Sequence, residues 1–259
     1  MRNFKLPGIP ERAEKPRQSG ITMMMDKGLS LREVENFIEA NADYTDVVKI
    51  GFGSSMITKN LEDKLNLYKS AGLRPYFGGT LFEMFIARNM FEDYRKLLDK
   101  YKLDLVEVSD GSIIIKHSQK CKYIQTLSKS VTVLSEVGSK EEGIIISPGK
   151  WTSMMRKELD SGSWKVIAEA RESGTVGIYR SSGNAHTLLI NRILAKIDSN
   201  DILWEAPQKS QQVYFIKLLG ANVNLGNIAP NEIIPLESLR LGLRGDTFFT
   251  FMENNEQKS

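Results

Sequence analysis

One unit recurs along this chain: a short β-prone run, a polar or glycine-bearing end, and a segment whose apolar residues have helical spacing. The run occurs eight times, at intervals that average roughly 29 residues. The runs are ITMMMD from Ile21, DVVKIGFG from Asp46, RPYFGG from Arg74, LVEVSDG from Leu105, TVLSEVG from Thr132, WKVIAEAR from Trp164, ILWEAP from Ile202 and NVNLGNI from Asn222. Several are apolar at consecutive positions, as expected of strands covered on both faces. The repeat predicts alternating strands and helices.

Eight βα units within 259 residues match an α/β fold of the (β/α)8 TIM-barrel type. We predict a single barrel domain over residues 21–251, an extended arm over residues 1–20 and a polar tail over residues 252–259. A doubly wound open sheet is the alternative, but that fold more often has six strands and a glycine fingerprint after the first. Here GFGSSM at Gly51 follows the second run and lacks the third glycine.

Charge and cysteine content exclude several classes of function. The chain has 35 basic and 32 acidic side chains and no run of five or more like charges, so we expect no nucleic-acid partner. The single cysteine, Cys121, excludes an internal disulfide and a multi-cysteine metal site. No window of 18 apolar residues predicts a membrane span, and Met1 is not followed by a signal-like apolar stretch. We therefore expect a cytoplasmic protein with no membrane association.

Carboxylates recur at the predicted strand ends, where the active sites of such barrels lie. The fourth to seventh runs each have a glutamate near the carboxyl end: Glu107, Glu136, Glu169 and Glu205. Buried carboxylates in adjacent strands would repel one another unless cations or donors offset their charge. We therefore predict that some of these oxygens hold a hard divalent cation, most simply Mg²⁺. A ring of structural ion pairs at the barrel mouth is the alternative interpretation.

Basic and amide side chains also follow the predicted strands. The basic set is Lys27, Lys49, Arg171 and Lys209. Together with a divalent cation, it would bind a phosphorylated carboxylic acid. The turn at Gly79 and Thr80 would let main-chain amides approach a phosphate. We add Gln208, at the start of a predicted helix whose exposed amides favour an anion, and Asn224 in the eighth run to the predicted substrate-binding residues.

Motifs at the strand ends are similar to those of one known family. They are MDKGL at Met25, VKIGFGSS at Val48, PYFGGTLFE at Pro75, VEVSDGS at Val106, LSEVGSK at Leu134, EARESG at Glu169, EAPQKSQQ at Glu205 and VNLGNIAPNEIIPLESLRLGLRGDTF at Val223. Together they resemble phosphosulfolactate synthase. The resemblance touches every predicted strand end between Ile21 and Phe249.

The resemblance implies a lyase that adds sulfite to C3 of phosphoenolpyruvate with Mg²⁺ and gives 2-phospho-3-sulfolactate. It also implies that negative charge moves into the substrate carboxylate as an aci-carboxylate and that a lysine then protonates C2. By the same resemblance Lys140 is the expected proton donor, and we assign Glu136 to catalysis with it. The expected partners are the two small-molecule substrates and further copies of the chain in a homo-oligomer.

A second interpretation keeps the barrel without the turnover, because plant relatives that resemble this sequence are associated with heat-stress tolerance. The acidic and basic groups named above are all present, which favours the enzyme. The identity of the substrates rests on the resemblance and not on composition.

Overall fold

Eight parallel strands form the sheet in the computed structural model of the chain, which describes residues 3–138 and 147–252. The strands are β1 (Thr22–Asp26), β2 (Val47–Ile50), β3 (Arg74–Phe77), β4 (Leu105–Val108), β5 (Thr132–Val137), β6 (Lys165–Ala168), β7 (Ile202–Glu205) and β8 (Leu225–Ile228). Each lies within one of the predicted runs. The strand predictions are therefore confirmed.

At least one helix follows each strand. The helices are α1 (Leu31–Asn41), α2 (Leu61–Ser70), α3 (Gly79–Ile86), α4 (Phe91–Lys100), α5 (His117–Leu127), α6 (Pro148–Asp160), α7 (Thr187–Leu194), α8 (Lys209–Leu219) and α9 (Ile233–Arg240). A capping box begins α1, since Ser30 and Glu33 each accept a hydrogen bond from the other's main chain. Asn89, with a φ of 57°, lies between α3 and α4. Within the described ranges, no helix is both long and apolar enough to cross a lipid bilayer.

The sheet closes into a barrel with one seam. Its strand order is β3-β2-β1-β8-β7-β6-β5-β4, and hydrogen-bonded neighbours are parallel. Side chains connect β3 to β4, both fully described, where the hydrogen-bonded order ends. Arg74 Nε lies 2.9 Å from Asp104 Oδ2, while Glu107 accepts hydrogen bonds from Tyr76 Oη at 2.9 Å and from the Gly79 amide at 2.7 Å. We call this junction the β3–β4 seam. The single-domain (β/α)8 prediction is confirmed.

Side chains inside the barrel form two layers. The layer nearer the amino ends is an apolar cluster: Ile21, Met23, Val47, Tyr76, Leu105, Leu134, Ile167 and Leu203. Because side chains along a strand alternate between its faces, the next inward position lies two residues further on. In β4 and β5, and at the ends of β6 and β7, that position is a buried glutamate: Glu107, Glu136, Glu169 and Glu205. The glutamates therefore lie directly above an apolar floor.

The amino end of the barrel is covered by the described part of the arm, residues 3–20, which contains no helix or strand. Arg12 pairs with Glu237 at 3.0 Å, and Arg17 pairs with Asp46, also at 3.0 Å. Both ion pairs are largely buried. Ion pairs thus bind the arm to helix α9 and to the residue that precedes β2.

Two buried cations complete this amino end. Arg240 donates to the main-chain oxygens of Ala221 at 2.7 Å and Val223 at 2.6 Å. Lys165 donates to the main-chain oxygens of Gln18 at 2.9 Å and Asn200 at 2.6 Å. Main-chain carbonyls therefore offset part of the cost of burying these ammonium and guanidinium groups.

Candidate active site

A cavity of about 440 Å³ opens at the carboxyl end of the barrel. Its lining is Met25, Lys49, Phe52, Gly78, Thr80, Glu136, Glu169, Arg171, Glu172, Ser173, Glu205 and Asn227. These residues lie at the ends of β1, β2, β3, β5, β6, β7 and β8, in the loops that follow or, for Thr80, in the first turn of α3. The cavity is where barrels of this type place their active sites.

Three buried carboxylates meet in this cavity. One oxygen each from Glu136, Glu169 and Glu205 lies within 4.8 Å of the other two. Two of the carboxylates are oriented by main-chain amides: Ala170 N donates to Glu205 Oε2 at 3.0 Å, and Arg171 N donates to Glu169 Oε1 at 2.8 Å. A buried set of oxygen ligands with this spacing suits a hard cation such as Mg²⁺. We call these three residues the carboxylate cluster.

Lys49 lies beside the cluster. Its Nζ is 3.0 Å from Glu107, 3.5 Å from Glu136 and 3.6 Å from Glu205. Burial alone would lower the pKa of Lys49, but Glu107, Glu136 and the other surrounding acids raise it well above its usual value. Lys49 therefore remains a protonated ammonium at neutral pH.

Glu205 titrates differently from an ordinary carboxylic acid. Burial raises its pKa to about 7, while the ammonium of Lys49 opposes that rise and the carboxylate of Glu136 adds to it. In the absence of a cation, ionisation of Glu205 near neutral pH is therefore costly. A divalent cation bound by the cluster would remove this cost.

Glu107 is the one predicted metal ligand that the described structure keeps apart from the cluster. Its carboxylate accepts hydrogen bonds from Tyr76 Oη and the Gly79 amide and pairs with Lys49. These three donors come from β2, β3 and the start of α3. Glu107 therefore closes the β3–β4 seam and orients Lys49, and the structure brings together only three of the four predicted metal ligands.

Gly79 also has a different role from the predicted one. Its amide is used by Glu107, so it does not point to a substrate phosphate. A Cβ at this position would collide with Ser109 Oγ and Glu107 Oε1, which explains the glycine. The neighbouring Thr80 does line the cavity, and its contact with substrate stays a prediction.

Two of the predicted basic residues lie at the cavity rim. Arg171 lines the cavity and has a φ of 50°, a left-handed conformation that is uncommon for a residue with a side chain. Lys27 is about half exposed and pairs with Glu172, and its Nζ lies 5.9 Å from the centre of the Phe52 ring. The rim therefore joins the loops after β1, β2 and β6.

The polar string after β7 binds a loop and does not line the cavity. Gln208 Nε2 donates to the Ser173 oxygen at 2.6 Å, and Gln211 Nε2 donates to the oxygens of Gly174 at 2.8 Å and Gly183 at 3.1 Å. Lys209, predicted to bind substrate, pairs instead with Asp246 at 3.0 Å and is exposed. The structure therefore does not bring Gln208 or Lys209 to the lining, and the glutamines fasten the loop after β6.

Asn224 lies at the other end of the barrel. It directly precedes β8, where its side chain accepts from Ile21 N at 3.1 Å and donates to the oxygens of Asn200 and Ile202, both at 3.0 Å. This position does not fit the predicted substrate contact. The asparagine that lines the cavity is Asn227, near the carboxyl end of β8.

Lys140, the predicted proton donor, lies outside the described residues.

Tyr76 belongs to the site, although the sequence did not predict a role for it. Tyr76 is fully buried and bonds Glu107, as described above. A signal was available, because Tyr76 lies two residues before Gly78 and therefore shares its inward face. Periodicity alone does not say which carboxylate such a hydroxyl contacts.

Comparisons with known proteins show the family of this chain. The family model described as (2R)-phospho-3-sulfolactate synthase matches residues 10–246. The phosphosulfolactate synthase of Bacillus subtilis (strain 168) is 39% identical over 252 residues, which cover 96% of this chain and 100% of the relative. The protein of the same name from Methanothermobacter thermautotrophicus is 40% identical over 244 residues, covering 92% and 95%.

Solved structures show the same fold at much lower identity. The 3-hexulose-6-phosphate synthase of Salmonella typhimurium superposes with a TM-score of 0.54 at 13% identity, covering 84% of this chain and 98% of that one. A 2,3-dimethylmalate lyase gives 0.51 at 10% identity, covering 83% and 76%. At these identities the likeness concerns the barrel alone.

The family model and the relatives at about 40% identity each match nearly the whole chain. The relatives carry the name of a synthase, so the family is one of enzymes. On this evidence, the chain belongs to the phosphosulfolactate synthase family.

Proposed function

We propose that this chain is a Mg²⁺-dependent lyase that joins sulfite to C3 of phosphoenolpyruvate and gives 2-phospho-3-sulfolactate. One observation supports the proposal above the others: the carboxylate cluster of Glu136, Glu169 and Glu205 lies beside Lys49 in the cavity of a family member. A set of ion pairs that served only to stabilise the barrel mouth would not need an open cavity.

The residues present fit Mg²⁺. Three carboxylate oxygens within 4.8 Å of one another are hard ligands, and their mutual repulsion favours a divalent ion between them. Glu136, Glu169 and Glu205 would hold it. Once bound, it would supply Lewis-acid stabilisation of negative charge on the substrate carboxylate.

The cationic side chains would place the substrate. Lys49 is held by Glu107 and stays protonated, so it offers a fixed positive charge within the cavity. Arg171 lines the same cavity together with Thr80 and Asn227, and its guanidinium suits a phosphate group. We assign the phosphate of phosphoenolpyruvate to this second set.

The bond changes balance without a redox partner. The lone pair on sulfur forms the new bond to C3, and the electrons of the C2–C3 double bond move to C2 and into the carboxylate. A proton must then be added at C2, and by the family resemblance we assign that step to the ammonium of Lys140. Sulfite present as bisulfite returns a proton to the lysine, so the reaction consumes one phosphoenolpyruvate and one bisulfite.

Product formation tests the proposal directly. The purified chain is incubated with phosphoenolpyruvate and sulfite, with Mg²⁺ or with excess EDTA, and the phosphorus NMR spectrum is recorded. We expect a new phosphate-ester signal that depends on both substrates and on the metal. If the folded, Mg²⁺-supplied chain consumes neither substrate, the proposal is wrong, and the barrel without turnover becomes the better interpretation.

The proton donor is tested by Lys140→Ala. We expect this change to abolish turnover and to leave the affinity for phosphoenolpyruvate within about tenfold, or roughly 1.4 kcal/mol, because the lysine acts on C2 after binding. Product formation and equilibrium binding are measured side by side, with Lys122→Ala on the exposed face of α5 as the control. Lost binding would instead make Lys140 a substrate clamp.

A further inference from the structure

A fully buried lysine lies outside the cavity, behind the wall that carries the carboxylate cluster. Lys120 is on α5 and has no exposed surface. Its Nζ lies 2.9 Å from Asp110 Oδ1, 3.0 Å from Glu158 Oε1 and 2.5 Å from the main-chain oxygen of Glu136. One ammonium thus joins α5 to the loop after β4, to β5 and to α6.

Lys120 contacts the main chain of Glu136 just beyond the last residue pair between β5 and its neighbour β4. The β4–β5 ladder ends at the pair Val108 and Ser135, one residue before Glu136. Lys120 supplies a donor to the next carbonyl along β5. The same residue, Glu136, contributes its side chain to the carboxylate cluster inside the barrel.

Two carboxylates stabilise the buried ammonium group of Lys120. Burial of an ammonium is costly, and here Glu158 and Asp110 offset the cost and raise the pKa of Lys120 above its usual value. Glu158 also lies 3.0 Å from His117 Nε2, which ties the network to the surface of α5. A side chain fixed by three partners is a rigid support for the main chain that it contacts.

We propose that Lys120 is a positioning residue for the cation site: it holds the main chain at Glu136 so that the carboxylate stays within reach of Glu169 and Glu205. The inference rests on the proposed function, since it assumes a divalent cation bound by these three residues. Residues that orient metal ligands typically change metal affinity by about 10- to 100-fold when they are replaced.

Direct cation binding tests this role. Mn²⁺ is titrated into the metal-free chain without substrates, and free Mn²⁺ is followed by electron paramagnetic resonance well below the melting temperature. We expect Lys120→Met to weaken Mn²⁺ binding by about tenfold or more. The matched control is Lys165→Met, because Lys165 is also buried and bonded to main-chain oxygens, but at the amino end of the barrel. Its Mn²⁺ affinity should stay within about twofold of wild type.

A second, milder variant tests the same role if Lys120→Met does not fold. Asp110→Ala removes one of the three partners of Lys120 at a partly exposed site, and we expect Mn²⁺ binding to weaken by about threefold. Unchanged affinity in the folded Lys120 variant, or in Asp110→Ala if the former does not fold, would overturn the inference. A wild-type chain that binds no Mn²⁺ would overturn it together with the cation site. Tight Mn²⁺ binding without turnover would overturn only the proposed reaction.

Discussion

The two ends of this barrel both bury charge, but they do so in opposite ways. At the amino end, Arg240 and Lys165 bond main-chain oxygens, and Arg12 is paired with Glu237. At the carboxyl end, the carboxylate cluster gathers like charges within 4.8 Å around a cavity that a ligand can enter. In the first arrangement, hydrogen-bond acceptors and carboxylates offset the cost of each buried positive charge. The second arrangement places like charges together and creates a site that, under the proposed function, would hold a cation and an anionic substrate.

This contrast separates stability from function along the barrel axis. Substitutions at the amino end should reduce the free energy of unfolding and leave the chemistry intact. Substitutions in the carboxylate cluster should do the reverse, because relief of repulsion stabilises a metal-free chain while the loss of a ligand reduces turnover. The following predictions test the contrast, starting with the largest expected effect.

Replacing one cluster carboxylate by an amide should have the largest effect. Glu169→Gln is expected to lower kcat by about a thousandfold, near 4 kcal/mol, because a neutral amide holds Mg²⁺ poorly. The metal-free variant should unfold at the same or a higher temperature. Glu237→Gln makes the same change at the amino end and should keep kcat while lowering the melting temperature. A comparable kcat loss in both variants would contradict the contrast.

Arg240→Met tests the amino end with a substitution of similar length. The guanidinium is fully buried, and its loss leaves the carbonyls of Ala221 and Val223 without these donors. We expect a cost of about 3 kcal/mol in the free energy of unfolding, measured by urea titration, and a kcat within twofold of wild type. A large fall in kcat in the folded variant would show that the two ends are coupled.

The pH dependence of stability should reveal the strain at the carboxyl end. The folded-state pKa of Glu205 is raised to about 7 from a usual value of 4.5, so its ionisation favours the unfolded chain. Below pH 4.5 the group is protonated in both states and contributes nothing. As pH rises from 4.5 to 7, the metal-free chain should lose about 3 kcal/mol through this group. Glu205→Gln should flatten that part of the profile, measured by urea unfolding in EDTA, and parallel profiles would contradict the assignment.

Lys209→Ala should have the smallest effect. Lys209 and Asp246 form an exposed pair, which contributes at most about 1 kcal/mol to stability. Because Lys209 does not line the cavity, we expect KM for phosphoenolpyruvate to stay within twofold of wild type. A tenfold rise in KM would return Lys209 to the substrate site, as its place in the sequence first suggested.

The sequence predicted the strands well because their signal is local. Each run is short, apolar and bounded by turn residues, and its period of two also places each glutamate two residues after an inward apolar side chain, as with Leu203 and Glu205. Three of the four predicted metal ligands, Glu136, Glu169 and Glu205, therefore meet in the cavity.

The parts that sequence did not predict depend on contacts between distant segments. The donors that bind Glu107 come from Lys49, Tyr76 and Gly79, and no local pattern states that these four meet. Asn224 was assigned to the wrong end because the predicted eighth run began at Asn222, three residues before β8 itself. Because the start of the strand was placed too early, Asn224 was assigned to the substrate site, whereas the asparagine that lines the cavity is Asn227.

Glu107 has a consequence for how this family can diverge. It closes the β3–β4 seam and also orients Lys49, so we expect one side chain to serve both the fold and the proposed reaction. A descendant that lost turnover would still need Glu107 to keep its barrel closed. An intact Glu107 would therefore identify a closed barrel whether or not the proposed reaction takes place, whereas we expect a family member that has abandoned the reaction to lose carboxylates of the cluster.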